Sequence, residues 1–403
     1  MPLPFISSTV PDEAAGTAAE ALSVATGLAL RLAESAAERD RAGGHAAQER
    51  EWIRASGLLA LSIPVEFGGQ GADWATVYQT VRILAQADSA LAHVYAFHHL
   101  QLAGVRLYGN AEQQQRLLSH TAERRLFWGN ALNPLDKRAI ATRIDGAYLI
   151  DGVKSFCSGS VGSDWMTVSA WHEETQSAVI GVLPTMQEKI RVEADWDAFG
   201  QRQTDSGNVH FTQALLPDEL VLQAPLQIPT TRTTLRTLVS QLIMTNLYLG
   251  IGLGAYASAR RYTADESRPW QASGVSAAVE DPYIQHRYGE LWLLLRPAQL
   301  LADDAAARLD HAFNSTGPLD PDARGRVAIA VAEAKCLSHR AAIEVSSQMF
   351  ELMGARATSC RYGLDRFWRN ARVHTLHDPV DYKLRDIGRH MLDGSYPEPT
   401  AYS

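Results

Sequence analysis

The sequence predicts a mainly α protein with a central β domain, and three observations predict it. From Val10 to about Arg125 apolar residues recur at helical spacing; from Phe127 to about Leu222 they alternate in short runs bounded by Gly, Asp and Pro; from Leu235 onward the helical period returns. A chain of 403 residues is long enough for more than one core. Alternating βαβ units would have argued for a parallel sheet instead. The three units fall at residues 1–125, 126–230 and 231–403.

Taken in order, the first unit opens with an Ala-rich helical stretch, Ala14–Ala37, and breaks at the polar run Arg41–His45. Its sharp interruption is Pro64–Gly71, dense in Gly and Pro and therefore a loop. In the second unit Ala147–Ile150, Trp165–Ser169, Ala178–Leu183 and Asn208–Phe211 read as strands. In the third, long helical segments are separated by Asn314–Asp322. Gly250, Gly252 and Gly254 imitate a dinucleotide fingerprint, but no strand precedes them, so close helix packing explains them better.

Composition narrows the function. Hydrophobic residues at 46% and charged residues at 20% are those of a globular protein. A net charge of −8 with scattered Lys and Arg disfavours nucleic acid as a partner. Cys157, Cys336 and Cys360 are too few and too irregular for a disulfide framework or a metal site, which fits a reducing compartment. Met1–Gly16 lacks the pattern of a leader, and apolar runs such as Leu247–Ala257 are shorter than a membrane span, so no membrane and a cytoplasmic location are expected. There is no G-x-S-x-G elbow and no P-loop.

Gly57–Gly69, Asp151–Gly159 and Gly200–Gly207, in that order, resemble the helix-to-loop signature and the two flavin-facing segments of the acyl-CoA dehydrogenase superfamily. Arg202–Gly207, Ser267–Trp270, Glu280–Tyr283, Arg361–Asn370 and His374–Pro379 narrow the resemblance to its two-component, FMNH2-dependent sulfur-compound monooxygenases, of the dibenzothiophene and methanesulfinate type. The resemblance implies an N-terminal helical domain, a β-barrel-like middle domain, a C-terminal four-helix bundle and a homotetramer. Common dehydrogenases place a glutamate shortly after a Gly-Gly pair as the α-proton base. Here the pair reads Gly354–Ala355, and Arg361 stands where the acid would be. A guanidinium is no base at neutral pH.

The chemistry implied is oxygen transfer from a flavin C4a-hydroperoxide, formed from reduced FMN and O2, to a small organosulfur compound. The reduced FMN comes from a separate NAD(P)H-dependent reductase, for which this chain shows no domain. By resemblance Asn130 and Ser158 lie beside the flavin ring, His93 and His377 line its oxygen-reactive face, and Lys154, Ser155, Phe156, Cys157 and Ser158 run along it. Arg268, and Ala355 with Arg356, look like the phosphate ligands, contributed by different subunits. Phe97, followed by His98, stands where the dibenzothiophene type has a tyrosine beside the substrate. Asn133, Lys137 and Arg138 fall in a segment that by analogy is a lid, and its charges favour a small anion, an alkanesulfinate such as methanesulfinate, over a planar thioether.

Plainer readings stand beside these. A lone His among apolar neighbours usually packs in a core, His374 and His377 on a helix are more often surface residues, and Arg268 and Arg356 suit interface ion pairs. Cys157 suits a small buried hydrophobe, and no metal site is expected. A dibenzothiophene- or sulfone-type monooxygenase, an FAD-dependent acyl-CoA dehydrogenase with a relocated base and a non-catalytic scaffold remain the alternatives.

Overall fold

The computed structural model describes residues 15–403; the reading of Met1–Gly16 lies, but for its last two residues, outside them. Six helices come first: α1 (Ala15–Ala33), α2 (Ala36–Ala42), α3 (Ala47–Ala55), α4 (Trp74–Ala87), α5 (Ser89–Tyr108) and α6 (Ala111–Arg124). Eight strands follow: β1 (Trp128–Ala131), β2 (Ala139–Ile144), β3 (Ala147–Lys154), β4 (Trp165–His172), β5 (Ser177–Pro184), β6 (Ile190–Val192), β7 (Val209–Pro217) and β8 (Val221–Gln223). Five helices close the chain: α7 (Leu235–Asp265), α8 (Pro282–Asn314), α9 (Pro321–Met353), α10 (Arg366–His374) and α11 (Val380–Asp393). Capping chemistry sets several starts: Asp281 and Asp320 accept backbone N–H groups ahead of a proline at the first turn of α8 and α9.

The strands form one mixed sheet in the order β6-β7-β3-β2-β4-β5-β8. β1 runs parallel to the first half of β4, Trp128 beside Trp165, and β2 meets the same strand farther on, Ile140 beside Trp171. The sheet curls so that β5 approaches β7. A Cβ on Gly181 would fall 2.5 Å from the Leu216 side chain, so this strand carries a glycine where the two faces close on each other.

Three units in sequence give two cores in space. One gathers Leu32, Trp74, Tyr78 and Tyr95 from the first helices with Leu242, Leu295 and Val345 from the last. The other lies under the sheet and takes Leu102 and Val105 from α5. α5 therefore belongs to both, and its middle passes between them.

α7 is longer and more apolar than the short runs in the sequence suggested: it has 31 residues and contains an 18-residue window with a mean hydropathy of 1.4, enough to cross a membrane by length and composition. Within the fold 89% of that window is buried, so its apolarity answers to neighbouring helices. Gly250 and Gly254 permit this. A Cβ on Gly250 would lie 2.4 Å from the Ala85 Cβ, and one on Gly254 would lie 2.3 Å from the Gln86 carbonyl oxygen, both on or at the end of α4. The expectation of close packing at these glycines holds.

Candidate active site

The site begins with the cap of α5. Asp88 accepts from the N–H groups of Ala90 and Leu91, both at 3.1 Å, and so fixes where the helix starts and which way His93 faces. His93 stacks on Phe97 one turn along, ring centres 4.0 Å apart, and meets His374 of α10 at 4.8 Å. Neither ring nitrogen of His93 has a protein partner, although the residue is only 5% exposed. Burial, helped by the charge of His377, pushes its pKa down to about 3. Burial first, then His93 and His377, hold His374 well below the usual imidazole range. Both rings are neutral at physiological pH.

His377 differs. Its Nδ1 lies 3.0 Å from Asp378 Oδ1. The same oxygen accepts from the ammonium of Lys335, which is fully buried on α9 and also donates to Gln241. Burial works against the Asp378 carboxylate, but the bonds from His377 and Lys335 win and hold it below the usual carboxylate range.

A chain of hydrogen bonds joins this cluster to the sheet. Gln201 Nε2 lies 3.3 Å from His374 Nδ1 and donates to Ser89 Oγ at 3.0 Å. Thr204 Oγ1 donates to the Gln201 carbonyl, the Thr204 and Ser206 hydroxyls lie 2.8 Å apart, and Ser206 Oγ lies 2.8 Å from Ser158 Oγ. The Ser158 carbonyl accepts from the Asn130 N–H at 3.0 Å. Asn130 in turn sits in register with Thr167, whose buried hydroxyl has no protein partner. The fold thus brings His93, His377, Ser158 and Asn130 to one region. Gln201, Thr204, Ser206, Asp378 and Lys335 were not singled out beforehand. The string Arg202–Gly207 was the available signal for the serine and threonine, and the Asp after His377 for the carboxylate.

The stretch 154–158 divides its work. Phe156 stands 67% exposed at φ +56, a left-handed backbone unusual for an aromatic residue, with its ring edge-on to Trp196. Ser155 Oγ accepts from Arg138 and donates to Asn208. Cys157 is buried, and burial raises its thiol to about 12. The Lys154 ammonium is fully buried and donates to the carbonyls of Asn133 and Asp136, both at 2.6 Å, so its side chain fastens the segment 133–138 and leaves only backbone groups of this residue for a ligand.

The charges of residues 133–138 are also engaged. Arg138 pairs with Asp136 at 2.7 Å, and the Lys137 ammonium sits 3.6 Å from the centre of the Trp171 ring. The argument for an anionic substrate from Arg138 therefore falls. His98, expected beside the substrate, is held elsewhere. It is fully buried, lies 2.8 Å from the Leu59 carbonyl through Nε2 and accepts from the Trp128 N–H at 3.2 Å, so both ring nitrogens are engaged in tying the first helices to β1.

Arg268 and Arg356 lie elsewhere. Ser267 Oγ donates to the Met353 carbonyl and Arg356 donates to that of Glu266, so both arginines sit at the far ends of the parallel helices α7 and α9 in one chain. Within one chain the two arginines therefore belong to the same end of the bundle. Two rulers give their distance from the imidazoles. Tyr248 reaches the His374 carbonyl 17 residues before α7 ends, and Lys335 reaches Asp378 18 residues before α9 ends. At 1.5 Å per residue each is about 25 Å. Arg361 is exposed and lies over the Tyr362 ring, away from the imidazole cluster.

Comparison with known proteins fits this arrangement. The acyl-CoA dehydrogenase N-terminal domain matches residues 19–125 and its C-terminal domain residues 242–382. The chain is 43% identical over 384 residues to the probable FMNH2-dependent monooxygenase SfnC of Pseudomonas putida, covering 95% of this chain and 97% of that one. It is 42% identical over 393 residues to the dibenzothiophene monooxygenase of Rhodococcus qingshengii, covering 94% of each. Among solved structures, methanesulfinate monooxygenase MsuC from Pseudomonas fluorescens superposes with a TM-score of 0.92 at 44% identity over 95% of this chain and 99% of that one. TdsC from Paenibacillus sp. A11-2, in complex with FMN and indole, gives 0.92 at 40% over 95% and 100%. Sequence, fold and site together make this chain a member of the acyl-CoA dehydrogenase family, within its group of FMNH2-dependent monooxygenases.

Proposed function

We propose that this chain uses dioxygen and reduced FMN, delivered by a separate NAD(P)H-dependent reductase, to add one oxygen atom to the sulfur of a small organosulfur compound, foremost an alkanesulfinate such as methanesulfinate. One dioxygen and two electrons from FMNH2 then convert a sulfinate to a sulfonate and water.

The observation that carries the reading is His93, buried with two unpartnered ring nitrogens against Phe97 and His374. Buried polar atoms without partners are costly unless a ligand completes them. The donors here are neutral imidazoles, hydroxyls and an amide, which suit the polar edge of a flavin ring, and the exposed Phe156 offers a face for stacking. When bound, reduced FMN supplies the activation of dioxygen. His93 and Ser158 donate hydrogen bonds without acting as strong acids, and His377 moves the proton. The packing of His93, Phe97 and His374, each under a tenth exposed, favours a small sulfur centre over a planar tricycle. Dehydrogenation lacks a base: Arg361 is at the surface, and Asp378 is committed to His377 and Lys335.

Arg268 and Arg356 suit the FMN phosphate in charge and geometry. Lying about 25 Å from their own chain's imidazoles, they are too far to hold the phosphate of a flavin bound there. A second copy of the chain brings its arginines to this ring, which supports a homotetramer. The free thiols Cys157, Cys336 and Cys360 accord with a cytoplasmic location.

The test supplies anaerobically reduced FMN and 18O2 with methanesulfinate, dibenzothiophene and its sulfone in turn, and weighs the product. One labelled oxygen in methanesulfonate is expected. Hydrogen peroxide alone with every substrate, or bleaching of a bound flavin by acyl-CoA, would overturn the reading.

A further inference from the structure

Of the three clustered imidazoles, His377 is the one with a carboxylate. His374 faces the Gln201 amide and His93 has no protein partner. The carboxylate is shared: Asp378 Oδ1 accepts from both His377 Nδ1 and the Lys335 ammonium. A tie between α9 and the turn after α10 would need the Lys–Asp pair alone. Such a pair, nearly fully buried, is weak evidence for stability, because desolvation offsets most of its attraction. Its chemical effect is less ambiguous. An ionised carboxylate only accepts, so the His377 nitrogen facing it must carry the hydrogen.

We propose that Asp378, braced by Lys335 and Gln241, is a positioning residue that fixes His377 as the Nδ1–H tautomer and leaves Nε2 as the atom that exchanges a proton at the flavin site. This deepens, and rests on, the monooxygenase reading. The carboxylate stabilises positive charge on the ring when Nε2 takes a proton and fixes the ring plane throughout. Lys335 has a second-order role: its charge keeps Asp378 ionised, since burial alone would favour the protonated acid, which would compete as a donor. The division within the cluster follows. His93 and His374 stay neutral, so they contribute hydrogen bonds, and the proton passes through His377.

The first test needs neither flavin nor turnover. Nitrogen-15 spectra of the imidazoles in the flavin-free protein should show His377 protonated at Nδ1. An Nε2–H tautomer in the wild type would end the proposal, whatever any variant does. Asp378→Asn alone strands the Lys335 charge in the interior, so the variant to make is the double replacement Asp378→Asn with Lys335→Met, which removes both charges together. It should fold and give a mixture of His377 tautomers. With reduced FMN supplied, kcat should fall about 10-fold or more and oxygen should be lost to hydrogen peroxide, with KM for substrate little changed. Asp378→Glu, which keeps the charge, should recover part of the tautomer preference and part of kcat. A double variant with wild-type tautomer, kcat and coupling would overturn the proposal. His377→Gln separates the two layers. If it turns over normally, the site reading fails and the proposal with it; if it is inactive while the double variant is not, only the positioning role fails.

Discussion

His93 and His98 sit five residues apart on α5 and have opposite roles. At about 100° per residue, five steps place them roughly 140° apart, whereas His93 and Phe97 share a face. His98→Leu should strand the Trp128 N–H and the Leu59 carbonyl and cost about 1–3 kcal/mol, read as a lower melting temperature, with normal turnover per folded molecule. His93→Asn should do the reverse and lose turnover with little change in melting. That angular argument was available in the sequence, and it would have separated the two histidines that motif matching left together. Ser158 and His377 could be singled out because they lie in distinctive strings, whereas Asn130 rested on the resemblance alone. The relay through Gln201, Thr204 and Ser206 was not, because its links depend on hydroxyl contacts across a fold that spacing does not reveal. The thiols give a further check. Cys360 is exposed, burial raises Cys336 to about 11, and Cys157 is raised to about 12. Iodoacetamide at pH 8 should therefore label Cys360 first, Cys336 slowly and Cys157 only on unfolding, as read by peptide mass mapping.

Among the elements, strands and helices were legible where turn residues bound them, and the loop at Asn314–Asp322 lies where its Gly and Pro place it, between α8 and α9. The meaning of α7 was less accessible, since the same apolar residues serve a membrane span or a central helix and only the neighbours decide. Those neighbours make a prediction. Alanine at Gly250 or Gly254 gains helix propensity but drives a Cβ into α4, and the clash should prevail by about 1–3 kcal/mol, lowering the melting temperature. Gly27→Ala on the exposed side of α1, where a Cβ meets nothing within 4 Å, should be neutral or stabilising and serves as the control. The segment 133–138 is the second element with a handle. Lys154→Met removes the ammonium that holds the Asn133 and Asp136 carbonyls, so trypsin should cut after Lys137 and Arg138 about ten times faster than in the wild type.

For the whole molecule, four buried histidines, His93, His98, His99 and His374, have pKa values below their unfolded value, chiefly through burial. Below about pH 6.5 the unfolded chain takes up protons that the folded chain refuses. Stability should therefore be complete above that pH and fall as pH drops toward 4, by up to about 5 kcal/mol per unit if all four act together, as denaturant melts at pH 7.5, 6 and 5 would show. The proposal that a second copy's arginines complete the flavin site can be tested by complementation. Co-expressing an Arg356→Ala chain with a His93→Ala chain should restore activity that neither has alone, because mixed oligomers contain some sites with both residues intact. The placement of α7 also bears on how the chain is made. Its flank toward α4 can be covered by helices already synthesised, but α9 is completed 88 residues after α7 ends. At ~5–20 residues per second that leaves about 4–18 s in which a greasy rod emerges from the ribosome half-wrapped, long enough for targeting factors and chaperones to compete for it.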